Sequence, residues 1–226
     1  GQLGRMLAEA ASPLGVDVIV LDPTPDCPAA RVAEQIDGSF DDPDAVRDLA
    51  ERADALTVEI ELADPDVLET VGGEFDVPVN PSPDALRTIQ DKLVQKRAFA
   101  EAGIPVPEFV AVDDAADLAD AVDRFGGCML KARTGGYDGR GNVPVEEPAD
   151  ADAAMDAVGG PAMAEAFVDF ARELSVIAVQ GDGEVRTFPA GENVHREEIL
   201  RETVLPARTA DGVPHPADAV SRDLLA

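Results

Sequence analysis

The sequence predicts an α/β protein in two parts, a doubly wound parallel sheet followed by an α+β unit, and three observations carry that expectation. Helix-like and strand-like segments alternate through the first third, which is the order that a parallel sheet with crossover helices requires. Pro81-Ser82-Pro83 then interrupts the alternation. Beyond it, longer strands and a glycine-centred hairpin signal appear, which parallel crossovers do not need.

In chain order, Gly4 to Ala11 is Ala-rich and helical in pattern, and Val16 to Leu21 is an apolar strand followed by the proline-rich turn Pro23 to Pro28. Asp42 to Arg52 reads as helix, Ala55 to Ile60 as strand, Pro65 to Val71 as helix and Val77 to Val79 as a short strand. Gly1-Gln2-Leu3-Gly4 has the character of a turn that follows a strand and opens a helix, so a first strand is expected before it. Asp84 to Ala102 reads as one long amphipathic helix stopped by Gly103 and Pro105. In the second part, Glu108 to Val112, Cys128 to Arg133 and Ala162 to Val168 are expected strands, and Ala115 to Phe125 and Ala151 to Val158 expected helices. Glu173 to Val179 and Val185 to Ala190 flank Gly181-Asp182-Gly183 as a hairpin. The expected domains are residues 1–81 and 82–226.

Composition narrows the function classes. At 226 residues and 45% hydrophobic content the chain can bury a substantial core. No apolar run approaches a bilayer span and no signal peptide opens the chain, so a cytoplasmic protein is expected. Cys27 and Cys128 have no metal-binding or disulfide spacing, and two reduced thiols follow. Against 18 basic residues stand 46 acidic ones, a net charge of −28, which disfavours nucleic acid and anionic membranes as partners. The acids are dispersed as solvated helix faces, a pattern of halophilic adaptation.

The chemistry concentrates in Leu130 to Asn142, where a strand delivers Lys131 and then a loop holding four glycines and two arginines, Arg133 and Arg140. Glycines let backbone N–H groups converge on phosphate oxygens, and the cations attract anions that the rest of the chain repels. Gly135-Gly136-Tyr137-Asp138-Gly139-Arg140-Gly141 resembles the glycine-rich loop of N5-carboxyaminoimidazole ribonucleotide synthetases of the ATP-grasp family. Four further segments resemble that family in order and spacing: Gly1 to Met6, Gln90 to Leu93, Glu173 to Ile177, and Glu192 to Arg196 with Ile199 to Arg201.

The resemblance implies a Rossmann-like pre-ATP-grasp domain followed by an ATP-grasp domain, and it implies site residues. Lys92 and Lys131 would hold ATP phosphates together with Gly136, Tyr137, Asp138, Gly139, Arg140, Gly141 and Asn142; Lys92 stands where many relatives carry arginine. The backbone of Glu165, Ala166, Phe167 and Val168 would read adenine, and Glu173 would accept from the ribose hydroxyls. Lys131, Tyr137, Asp138, Arg140 and His195 are the implied catalytic set, His195 lining the carboxyphosphate region, although a lone histidine reads equally well as a packing residue. Gln2 and Leu3 at a helix N-terminus and Glu59 at a strand end would meet the ribonucleotide, while Glu59 and Glu61 also fit plain strand-end carboxylates.

By the same resemblance the ligands are ATP, Mg²⁺, bicarbonate and 5-aminoimidazole ribonucleotide, and the assembly is a homodimer. The metal ligands and a small C-terminal domain are expected beyond Ala226. Rival readings are another ATP-grasp ligase, such as formate-dependent glycinamide ribonucleotide transformylase or a biotin carboxylase, a non-catalytic ATP-binding module, or a nicotinamide dehydrogenase.

Overall fold

A computed structural model describes residues 1–135, 141–181, 183–196 and 199–208. It divides into two compact units, Gly1–Gln90 and Asp91–Ala226. The division falls at Gln90 rather than at Pro81, because the helix after the prolines belongs to the first unit. Leu86 is wholly buried in that unit's core, and Arg87 binds Asp66 and Glu69 on the preceding helix.

The first unit contains helices α1 (Gln2–Ala11), α2 (Pro43–Ala50), α3 (Pro65–Phe75) and α4 (Pro83–Gln90). Its strands are β1 (Ile19–Asp22), β2 (Glu34–Asp37), β3 (Leu56–Thr57) and β4 (Val79–Asn80). All pairing is parallel, as the βαβ order requires, and the ladder consists of two pairs, β1 with β2 and β3 with β4. The third strand is shorter than the apolar run Ala55 to Ile60 suggests, since only Leu56 and Thr57 find partners, in Val79 and Asn80. Strand β2 escapes the sequence reading because Glu34, Gln35 and Asp37 are polar. Val46, Ala50, Leu56, Ala63, Leu68, Val71 and Leu86 form the core between the helices and β3. A cavity of about 330 Å³ is lined by both β1 and β3, with Leu7, Phe40, Leu49 and Leu68 among its aliphatic and aromatic walls.

The second unit opens with α5 (Lys92–Glu101), so the long helix expected over Asp84 to Ala102 is in fact two. Asp91 makes the break: its backbone is extended, and its side chain accepts from the N–H groups of Leu93 and Val94 at 2.9 and 3.2 Å. An amphipathic pattern continues across the junction, but the carboxylate satisfies the free N–H groups that a new helix exposes.

After it come β5 (Phe109–Val112), α6 (Ala115–Phe125), β6 (Cys128–Ala132), β7 (Asn142–Val145), α7 (Ala151–Val158) and β8 (Ala162–Ala166). Four of these strands form an antiparallel sheet in the order β5-β8-β6-β7. Period-two alternation gives the sheet two different faces. Cys128, Leu130, Ala162 and Ala164 pack with Leu118, Val122 and Ala154 of α6 and α7 into a dry core. Met129, Lys131, Met163 and Glu165 occupy the opposite face. The chain continues through β9 (Glu173–Ser175), β10 (Ala178–Gly181), β11 (Glu184–Thr187), β12 (Gly191–Arg196) and β13 (Ile199–Val204). The glycine hairpin is β10–β11, and β9 pairs instead with β12 in a three-stranded sheet β13-β12-β9.

Candidate functional site

Strands β6 and β8 are neighbours in register Lys131↔Met163 and Met129↔Glu165, so Lys131 and Glu165 lie on one face as a diagonal pair. Lys131 Nζ donates to Glu165 Oε1 at 2.9 Å. Lys96, from the middle of α5, brings its Nζ to 2.8 Å from Oε2 of the same carboxylate. The angles of that second contact fall outside those of a hydrogen bond, which leaves Oε2 with acceptor capacity.

Glu165 is 8% exposed and is the one buried charged residue among the described residues. Burial alone would raise its pKa, but the ammonium of Lys96 close to Oε2, the hydrogen bond from Lys131 and the charges of both lysines outweigh that and hold it below the ordinary 4.5. The carboxylate is therefore ionised at neutral pH. Two ammonium groups around one carboxylate leave a surplus positive charge in a chain of net charge −28.

The end of β6 is fixed by a second interaction. Arg133 Nε donates to both oxygens of Asp91, at 3.1 and 3.0 Å, and its Nη2 also reaches Oδ2. The N–H of Lys92 donates to the Arg133 carbonyl at 2.9 Å. These bonds seat the N-terminus of α5 against the strand end from which the glycine-rich segment departs. Partial burial opposes ionisation of Asp91, yet the Arg133 bond, the N–H groups of Val94 and Leu93 and the guanidinium charge lower its pKa. Lys92 thus stands beside the loop base, and its side chain has no acidic partner among the described residues.

The loop base is closed where Ala132 N donates to the Gly141 carbonyl at 2.7 Å and Lys131 faces Asn142. Gly135 and Gly141 take left-handed φ of 72° and 79°, a conformation that favours glycine. Gly136, Tyr137, Asp138, Gly139 and Arg140 lie outside the described residues.

At the far end of β8, Ala166 donates to the Glu108 carbonyl at 2.8 Å, after which the chain leaves the sheet. The backbone groups of Phe167 and Val168 form no hydrogen bond among the described residues, and both side chains are about half exposed. Gly127 leaves room for this segment: its φ is 108°, and a Cβ there would sit 3.1 Å from the Phe167 ring.

Glu173 and His195 also come together, on β9 and β12. Register places Glu173 opposite Asn193, so His195 is its diagonal neighbour, and Nδ1 lies 3.4 Å from Glu173 Oε2. Among the described residues no hydrogen bond or ion pair links this couple to Lys131 or Glu165.

In the first unit Glu59 Oε1 is 3.2 Å from the Gly1 nitrogen, and a Cβ on Gly4 would press to 3.3 Å from Glu59 Oε2. The start of α1 and Glu59 are therefore adjacent, and Gln2 and Leu3 are exposed. The nearby cavity is walled mainly by aliphatic side chains and does not suit a phosphate.

Three residues with clear structural parts in the site, Lys96, Asp91 and Gly127, had no assigned role from sequence. Asp91 carried a signal, an acid directly before a helical run. Lys96 carried only its place one turn after Lys92.

A family model described as an ATP-grasp domain matches residues 97–226, and one described as a ribonucleotide synthetase preATP-grasp domain matches residues 1–90. The N5-carboxyaminoimidazole ribonucleotide synthase of Pseudomonas aeruginosa is 39% identical over 99% of this chain and 61% of its own length. Carboxyaminoimidazole ribonucleotide synthase from Aspergillus clavatus, solved with ATP, superposes with a TM-score of 0.92 at 38% identity, covering all of this chain and 60% of that one. The Aspergillus clavatus enzyme solved with ADP and 5-aminoimidazole ribonucleotide gives 0.90 at 36% identity, over 100% of this chain and 60% of that one. The chain spans about three fifths of the length of these relatives. With more than half of its residues matched by that family model and its paired strands superposing on solved members, the chain belongs to the ATP-grasp family.

Proposed function

We propose that this chain is the nucleotide-binding portion of an N5-carboxyaminoimidazole ribonucleotide synthetase, which carboxylates 5-aminoimidazole ribonucleotide at the expense of ATP. The observation that carries the reading is Lys131, held beside buried Glu165 at the base of the glycine-rich segment, on the strand next to the one that runs into the unpaired Phe167–Val168 backbone. A cation and a free backbone edge at opposite ends of two adjacent strands suit the phosphate and adenine ends of one nucleotide. Glu173 would accept from the ribose hydroxyls and carry His195 with it.

In the reaction, a bicarbonate oxygen attacks the γ-phosphorus of ATP, the bond to the β-phosphate oxygen breaks, and carboxyphosphate and ADP form. The exocyclic amine then attacks the carboxyl carbon, inorganic phosphate leaves, and the amine loses a proton. Lys131, Lys92 and the backbone N–H groups of residues 135–141 would neutralise charge that builds on the transferring phosphoryl group. Mg²⁺, when bound, neutralises further phosphate charge; among the described residues no three His, Cys, Asp or Glu side chains converge to hold it. Gln2, Leu3 and Glu59 are the proposed contacts of the ribonucleotide, Glu59 by accepting from its hydroxyl or amine groups. The same reading takes the enzyme to be a cytoplasmic, salt-adapted homodimer; no helix among the described residues is long and apolar enough to cross a membrane.

The test is ADP release by the whole protein in molar KCl with Mg²⁺-ATP and bicarbonate, with and without 5-aminoimidazole ribonucleotide. Release is expected to rise with that nucleotide and to fall about 10²–10³-fold in Lys131→Ala. Release that ignores the nucleotide would send the assignment to another acceptor within the family.

A further inference from the structure

Lys96 has no role in the scheme above, and its surroundings give it one. It lies one helical turn beyond Lys92 on α5 and contacts a carboxylate whose other oxygen is bound by Lys131. A Lys131–Glu165 couple alone would be electrically neutral, and a neutral couple attracts phosphate poorly. The buried Oε2, which accepts no hydrogen bond, would also lose the Lys96 ammonium that lies 2.8 Å from it, and Lys131, already bound to the other oxygen, is the cation placed to move onto it. An ammonium group has three donors in all. Drawn onto both oxygens of Glu165, it would turn away from the base of the glycine-rich segment.

Resting on the nucleotide-site reading, we infer that Lys96 is a positioning residue: by neutralising Glu165 it leaves Lys131 with both its charge and its remaining donors for the ATP phosphates. The side chains support this division of labour. Lys96 and Lys131 are 20% and 24% exposed, so neither is freely solvated, and Glu165 is the shared partner of both. In a chain with 46 acidic and 18 basic residues, two lysines on one carboxylate is the reverse of the prevailing pattern, in which Arg87 alone binds Asp66, Glu69 and Asp84. Glu165 is also the last buried residue of β8 before the unpaired Phe167–Val168 backbone, so its side chain sets the phosphate end while its strand leads to the adenine end.

A purely structural ion triad would behave differently, and dissociation constants for ATP and for adenosine, measured on the whole protein, separate the two. Lys96→Met is expected to weaken ATP about tenfold while adenosine changes less than about twofold, because the loss falls on the phosphate end. Lys96→Arg should recover most of the affinity. The double variant Lys96→Met with Glu165→Gln, which removes the cation together with the charge it neutralises, should also recover ATP binding to within about threefold of the wild type. Equal weakening of ATP and adenosine in Lys96→Met, or no recovery in the double variant, would overturn the inference. Lys131→Ala serves as the reference: if it leaves ATP affinity intact, the nucleotide-site reading itself fails, and the role of Lys96 falls with it.

Discussion

At the scale of single residues, Glu165 gives the molecule a pH response of definite sign. Its folded pKa lies below the ordinary 4.5, so its stabilising contribution is fully present above that value and is lost as pH falls through the folded one. Protonating the surplus acids acts the opposite way, since it relieves repulsion across a chain of net charge −28. The comparison must therefore be between variants rather than between pH values. Glu165→Gln strands two partly exposed lysines and should cost about 1–3 kcal/mol near neutrality, less than breaking a fully buried pair because both lysines keep some solvent. Denaturant titrations of the two proteins should show that difference in full at pH 6 and a steady narrowing as pH falls below 4.5; a gap that does not narrow there would mean that the carboxylate's charge is not what stabilises the site.

At the scale of elements, the acids are more than solvated faces. Asp42, Asp64, Asp91 and Asp114 each precede a helix and accept from N–H groups of its first turn. Asp114→Ala, at an exposed cap, should cost about 1 kcal/mol in urea titration. Asp91→Ala should cost about 2–3 kcal/mol, because Arg133 loses its partner as well. Equal losses would show that the Arg133 bond adds nothing. These two caps also explain what could be read in advance. The expected span Ala115 to Phe125 matches α6, since Asp114 starts the helix and Gly126, in a left-handed conformation, ends it. Asp91 carried the same signal of an acid before a helix, but an amphipathic pattern continues across it, and the Arg133 bond that reinforces the break comes from 42 positions away. The site divides in the same manner. Lys131 and Glu165 were legible as residue types in strands, whereas their pairing depends on the β6–β8 register and on a helix docked from elsewhere in the chain. Lys96 belongs wholly to that second category.

At the scale of the whole molecule, charge decides stability, and two effects of salt compete. Screening weakens ion pairs such as those of Arg87 and Arg47, whose acidic partners are exposed and which contribute little each. It also weakens repulsion among acids that outnumber the bases 46 to 18. The second effect involves more charges and acts over longer distances, reaching about 30 Å at 10 mM salt and about 3 Å at 1 M. Repulsion should therefore dominate, and salt should stabilise. Relief of a few kcal/mol corresponds to a rise of roughly 5–10 °C in Tm for a chain of this size. Thermal unfolding followed from 10 mM to 1 M KCl should show that rise, most of it complete once the screening length falls below the spacing of neighbouring carboxylates. Sulfate salts strengthen apolar burial as well as screening. A rise seen with sulfate but absent with chloride would therefore assign the salt response to the core, and the surplus acid would then have no part in folding stability.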